Sequence, residues 1–456
     1  MFLISGRNAL YTFRRQEHLL STPTLIRPAY AESFRCIGSS CEDTCCRGWS
    51  VPIDQASYQK YQSLPVGPLR SLLDASIQLA PEGATSSDGF GPEVFAKIAM
   101  TKSNQCPMLS ADHLCRVQTE GGAELLSHSC ATYPRIVRSV AGAQEMALSL
   151  SCPEAARLAL LGPMRLLKLR EPDGANSGGK GPGIQPWFLA IRSVALNLVR
   201  NRAYPLWQRM FLLGILCRRL DAIASGEPTR TIPELLIEFE ATVARGTLRQ
   251  AMGSIIADAE AQMDLVLRLA GLMLYRSNVT PRFVECINAF TAGIGNGPKA
   301  TLESLAAQSS VVHDRYFTPF FDRHPQILEN YLINTILRCQ FPFGRDGMKE
   351  GASPSVAREF SILTAQFALM KGLLIGVAGF HREGFSKEDV VHTVQAASKH
   401  FDHHPDFFNE AHILLVESRM DGARGMAILL KNAGPVATDT APSIFVPGPM
   451  PVTAAL

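Results

Sequence analysis

The stretch WFLAIRSVALNLV, residues 187–199, decides the fold class. Its apolar side chains Phe188, Ile191, Val194, Ala195, Leu198 and Val199 recur every three and four residues, the period of one helix face and not the alternation of a strand. The spacing returns at Trp207, Met210, Phe211 and Gly214, at Leu235, Leu236 and Phe239, and then through 255–274, 327–337, 360–377 and 390–400. No alternating segments separate these runs, so no βαβ unit and no doubly wound sheet is expected. The pattern predicts an α-helical domain over residues 187–432.

The rest of the chain frames that body. With 456 residues, 46% hydrophobic and 19% charged, it can bury a sizeable core. Forty-four Lys+Arg against 41 Asp+Glu leave a formal +3, far from the basic balance of a dedicated nucleic-acid binder. The best membrane candidate, Phe367 to Phe380, is short and carries Lys371, so no span is expected. Arg7, Arg14 and Arg15 faintly imitate a transit peptide, but the apolar start is too short for a secretory leader. A soluble cytoplasmic protein with a peripheral first two dozen residues is the expectation. Gly/Pro/Ser-rich residues 80–92 read as a loop and 171–186 as a linker. Residues 433–456, with five prolines and hardly a charge, read as a disordered tail.

Upstream of the linker, residues 24–170 read as a second domain marked by cysteine. Eight of the eleven cysteines fall there. Cys36, Cys41, Cys45 and Cys46 form C-x4-C-x3-C-C, and Cys106, Cys115, Cys130 and Cys152 follow at wider intervals. Thiols clustered so locally point to a metal centre rather than to a disulfide scaffold. The run IVRSVAGAQEMALSL, residues 136–150, alternates around an Ala-Gly-Ala tip and predicts a short β-hairpin delivering Cys152 beside Cys130. If Cys41 opens a helical turn, Cys45 shares its face at i+4 while Cys46 points elsewhere. One of the vicinal pair then binds metal while its neighbour serves a second site or packs as a small hydrophobe. All-thiolate ligation selects zinc or an iron-sulfur cluster. Ribbon-type knuckle spacing is absent, which favours iron-sulfur such as 4Fe-4S over zinc. Cys217, Cys286 and Cys339 sit in apolar helical patterns and read as core residues.

Several stretches together carry a family resemblance. PAYAESFRCIGSSCEDTCCRGWSVPID (Pro28 to Asp54), CPML at Cys106, SCATYPR around Cys130, LSCPEAAR around Cys152, PLWQRMFLLG from Pro205 and ENYLINTILRCQFPFG from Glu329 resemble the bacterial flagellin lysine-N-methylase family over about residues 24–415. The N-terminal part also resembles a broader cysteine-cluster domain that chelates zinc or iron. The resemblance implies a cytoplasmic methyltransferase that moves methyl groups from S-adenosylmethionine to lysines of flagellin, the filament protein of the bacterial flagellum. Its chemistry needs a neutral amine in line with the sulfonium methyl and an acceptor for one proton, and no redox step. The C-x3-C-x2-C pattern of radical enzymes is missing, because Gly48 occupies the third position after Cys45. The rival reading is a non-catalytic metal-binding adaptor or redox sensor.

Donor-binding residues are harder to place. Gly293, Gly295 and Gly297 imitate a nucleotide-binding turn, but Phe283, Val284, Ile287 and Phe290 precede them at helical spacing, so a helix C-terminal loop is the reading. In 327–338 Asn330 and Asn334 form an amide stripe with Arg338 at i, i+4 and i+8, beside Tyr331. Asn330, Tyr331 and Asn334 are the candidate cofactor-binding residues, with a solvated face or polar packing against the FPFG turn at Phe341 to Gly344 as the alternative. Trp49, Asp54, Tyr133, Pro134 and Arg135 wall the metal site or touch substrate. His400, His403 and His404 read as a solvated helix end.

Overall fold

The computed structural model describes residues 25–49, 51–81, 94–140, 143–169, 187–226, 231–274, 279–344, 354–402 and 406–432. The expectations placed on the first 24 residues, most of the 80–92 loop, the linker, His403, His404 and the C-terminal tail lie outside them.

The chain is mainly α-helical with little sheet. In the first third, β1 (Leu25–Pro28) leads into α1 (Ala29–Ser33). The cysteine loop follows, and then β2 (Pro52–Ile53), α2 (Gln55–Gln62), α3 (Pro68–Ser76), β3 (Ile77–Leu79), β4 (Ala96–Ile98), α4 (Arg116–Gly121) and α5 (His128–Thr132). The hairpin is β5 (Arg135–Val140) and β6 (Ala143–Leu148), in register from Arg135 opposite Leu148 to Val140 opposite Ala143. After α6 (Pro153–Leu161), β7 (Leu166–Leu169) returns antiparallel to β1. Besides the hairpin, β2, β4 and β3 form a small antiparallel sheet. Their two or three residues each are too few to show alternation in the sequence.

The body runs through α7 (Phe188–Val199), α8 (Leu206–Ala224), α9 (Ile232–Arg245), α10 (Arg249–Gly253), α11 (Ala259–Leu274), α12 (Pro281–Gly293), α13 (Leu302–Val312), α14 (Thr318–Arg323), α15 (Gln326–Arg338), α16 (Val356–His381), α17 (Lys387–Phe401), α18 (Phe407–Glu417) and α19 (Ala423–Leu430). Starts are chemically marked. Thr231, Thr301 and Ser386 close capping boxes, and Thr280 and Ser355 cap α12 and α16.

Helix α16 is the axis, packed by α8, α11, α12, α13, α17, α18 and α19. It is longer than the sequence pattern suggests, and by length and composition alone its 26 residues suffice to cross a membrane. Ninety-four per cent of its most apolar window is covered by the surrounding helices, which makes it the core helix of this fold. All-round burial also explains why its ends were hard to read: a helix without a solvent face has no amphipathic period. Its crossing with α12 is close. A Cβ on Gly293 would strike the carbonyl oxygen of Gly376, and one on Gly376 would meet Phe290. The glycine string at 293–297 therefore ends a helix that needs close approach, and Gly295 takes the left-handed turn at φ +75°.

Two cores form. The main one runs without a break from Tyr30, Phe34, Leu148, Ala155 and Leu160 into the helical body. A smaller one gathers Val51, Ile53, Tyr61, Leu73, Ile98, Cys106, Met108 and Val117. Cys217 and Cys286 are buried in the main core, while Cys339 is half-buried. The hairpin and α6, with Cys152 at its head, thus pack as parts of the body, and the segments that carry Cys46, Cys106, Cys115 and Cys130 stand beside it around their own small core.

Candidate metal centre

The cysteine loop has no helix between Cys41 and Cys46, which corrects the expected i, i+4 geometry. Short polar side chains hold a turn instead. Asp43 Oδ1 accepts from the Thr44 N–H at 2.9 Å, Thr44 Oγ1 from the Cys46 N–H at 3.1 Å, and the Cys41 thiol donates to the Asp43 carbonyl at 2.8 Å. Trp49 Nε1 donates to the Cys45 carbonyl at 2.6 Å. Gly48, at φ +89°, lets the chain turn against Thr280 and Lys399 of the body.

Backbone pairing then imports the distant thiols. Cys106 N–H donates to the Cys46 carbonyl at 2.8 Å, and Arg47 and Gln105 form a bridge. Leu109 and Cys115 form another. Ser127 caps α5, setting Cys130 in its first turn. As a result Cys45, Cys46, Cys106, Cys115 and Cys130 line one cavity of about 80 Å³, with Trp49, Tyr61, Met108 and Tyr133 among its other walls. Both members of the vicinal pair face it, contrary to the expected divergence. Cys36 is exposed, Cys41 half-buried and Cys152 buried. These three stand outside the lining, although Cys41 and Cys45 are among the groups that raise the Cys152 thiol.

The sulfurs act on one another. Contact with Cys106 pushes the Cys46 thiol up to about 12 and holds Cys106 below its ordinary value. Contact with Cys46 and burial raise Cys45, and burial takes Cys130 to about 11 and Cys152 to about 12. All described cysteines are free thiols. Five soft donors around one cavity with no carboxylate in its lining suit zinc or iron in kind. In arrangement, no three Cys, His, Asp or Glu side chains among the described residues stand together as a ready-made metal site.

The other candidates fall elsewhere. Trp49 and Tyr133 stack at 6.1 Å on the cavity wall. Asp54 caps α2 and accepts from the His128 N–H at 3.1 Å, while Arg135 donates to the Phe34 carbonyl. Helix α15 is buried from Ile327 to Leu337. Asn330 donates to the Leu160 and Gly162 carbonyls at 3.1 and 2.9 Å, and Asn334 pairs with both backbone groups of Leu148 while accepting from Tyr30 Oη. The amide stripe therefore ties α15 to the hairpin and α6, and its groups are engaged by backbone. Tyr331 is buried on the same helix. His400 is buried too, not solvated, with Nε2 3.2 Å from the Thr280 N–H.

Residues that spacing alone did not mark include Tyr61 in the cavity wall and Asp43 in the cysteine run, which accepts from two buried side chains of α17. An acid placed between thiols was the available signal.

Residues 192–429 match the model of the FliB lysine N-methylase C-terminal domain. A lysine-N-methylase of Salmonella typhimurium is 24% identical over 398 residues, covering 83% of this chain and 92% of its own length, and one of Salmonella choleraesuis matches to the same extent. A flagellar biosynthetic protein, FliU, of Salmonella muenchen is 34% identical over 131 residues, 29% of this chain and 73% of its own length. No solved structure matches. With more than half of its residues inside the matched domain, the chain belongs to the FliB lysine N-methylase family.

Proposed function

We propose that this chain is a protein-lysine N-methyltransferase of the cytoplasm that uses S-adenosylmethionine to methylate flagellin, and that its N-terminal thiols hold a metal centre, iron-sulfur or, alternatively, zinc. The observation that carries the enzymatic reading is the match to relatives named lysine-N-methylase along 83% of the chain. It spans the cysteine region and the helical body together. Flagellin as substrate is supported by the flagellar name of the third relative.

In the reaction a neutral lysine Nζ attacks the sulfonium methyl, the N–C bond forms as the S–C bond breaks, and the product ammonium gives up a proton to water or a base. Cys45, Cys46, Cys106, Cys115 and Cys130 would hold the metal, with Cys36, Cys41 and Cys152 as further donors. Once bound, it would cross-link segments from four parts of the sequence, the structural role that thiolate metals fill in small cores. Trp49, Tyr61, Met108 and Tyr133 are among the side chains that would surround it.

The test is incubation of metal-replete protein with flagellin and methyl-labelled S-adenosylmethionine, followed by mass spectrometry of flagellin lysines. Label on lysine Nζ is expected. Folded, metal-bound protein that transfers no label and binds no donor would sink the enzymatic reading and leave the adaptor. A brown preparation with broad visible absorption identifies iron-sulfur, and a colourless metal-bound one zinc.

A further inference from the structure

One face of α17 reaches across more than 350 positions of sequence to the cysteine loop. Gln395 and Lys399, four residues apart and both buried, converge on Asp43 Oδ2 at 2.8 Å each. Lys399 Nζ also donates to the Thr44 carbonyl at 2.8 Å, and Gln395 Nε2 to the Ser151 carbonyl at 2.9 Å. Arg282 on α12 fixes the other end of the Gln395 amide by donating to Oε1 at 2.9 Å.

The contacts are distributed by thiol. Asp43 also accepts from Cys41 through its carbonyl, Thr44 receives the Cys46 N–H, and Ser151 precedes Cys152. A single helix face thus grips the chain beside Cys41, Cys45, Cys46 and Cys152. Between Cys41 and Cys46 the loop has no helix of its own to do this. A buried ion pair gains little stability over apolar packing of the same volume. What it supplies is direction, since an ammonium and an amide meeting on one carboxylate oxygen allow only one seating of the loop.

We propose that Lys399 and Gln395 are positioning residues for the thiols, so that metal retention in the N-terminal region depends on α17 of the helical body. The inference rests on the metal centre proposed above. It makes the two regions one unit in metal binding, with the outer support of the centre supplied from the far end of the sequence.

The test uses the full chain, reduced and stripped of metal, titrated with cobalt(II) and read by thiolate-to-cobalt charge-transfer absorbance, with zinc(II) competition for affinity. K399M should weaken cobalt retention at least about tenfold and lower the charge-transfer intensity per bound cobalt. The double variant D43N/K399M removes both charges, avoids stranding one in the interior, and should weaken binding likewise while keeping the wild-type circular dichroism. D221N is the control for simple destabilisation. Asp221 accepts from the Val356 and Ala357 N–H groups at the start of α16, far from the loop in sequence, so its loss should lower the melting temperature and leave the cobalt spectrum unchanged. Wild-type affinity and spectrum in D43N/K399M would overturn the proposal. So would a loss in D221N equal to that in K399M. A wild-type protein that shows no thiolate-cobalt band would overturn the metal reading itself.

Discussion

Lys371 offers the sharpest quantitative test of the fold. It lies in the middle of α16, buried, with Nζ donating to the Leu429 and Leu430 carbonyls at 3.1 and 2.9 Å and to Asn432 Oδ1 at 2.6 Å. No carboxylate is among these acceptors. The ammonium serves the open carbonyls at the end of α19, where the helix dipole is negative. Burial nevertheless lowers its pKa from 10.5 to about 7. A lysine whose folded pKa is depressed lets the unfolded chain hold more protons between the two values, so stability rises with pH across that window. Each unit is worth about 1.4 kcal/mol, and from pH 7 to about 9.5 the gain attributable to Lys371 is about 3 kcal/mol. Urea unfolding of wild type and K371M at both pH values isolates it, because all other titrating groups are shared. The wild type should gain about 3 kcal/mol on the variant over that interval. A difference between the two proteins that does not change with pH would refute the reasoning.

Three further outcomes follow from the packing and the site. N334A strips the Leu148 backbone and Tyr30 of buried partners and should cost about 2–3 kcal/mol in urea unfolding. G293A places a methyl on the Gly376 carbonyl and should cost about 3 kcal/mol or more, seen as a lower melting temperature, because backbone cannot move aside as a side chain can. C106S removes one of the five thiols that line the cavity, and elemental analysis of the purified variant should find less bound metal per chain than in wild type. An unchanged ratio would exclude Cys106 as a donor.

The helical body was legible because helices such as α7 turn one apolar face inward, as the spacing of Phe188, Ile191, Val194 and Ala195 records. The hairpin was legible because six paired positions suffice to show alternation. Less visible were features set by partners rather than by period. The pairing of β1 with β7 joins residues about 140 positions apart through backbone groups that every residue carries. The amide stripe of α15 was visible at i and i+4, yet nothing in its spacing reveals that Leu160, Gly162 and Leu148 supply the acceptors. In the cysteine run no helix forms, because Asp43 and Thr44 turn their short side chains onto nearby backbone, and that competition is decided locally. Clustering in the sequence marked eight thiols alike, and only backbone pairing separates the five that line the cavity from Cys36, Cys41 and Cys152, while the acid seated among them drew its meaning only from α17.

The unbroken main core bears on how the protein can be dissected. The stretch that matches the family's C-terminal domain opens at residue 192, inside α7. Tyr30, Leu148, Ala155 and Leu160, which fill the same interior, lie outside it. A truncated product beginning there would show water an oily surface that these residues normally cover, and would leave the Asn330 and Asn334 amides searching for partners. Such a fragment should aggregate or bind chaperones, so the edge of the matched family domain and the boundary of autonomous folding fall at different places in this chain.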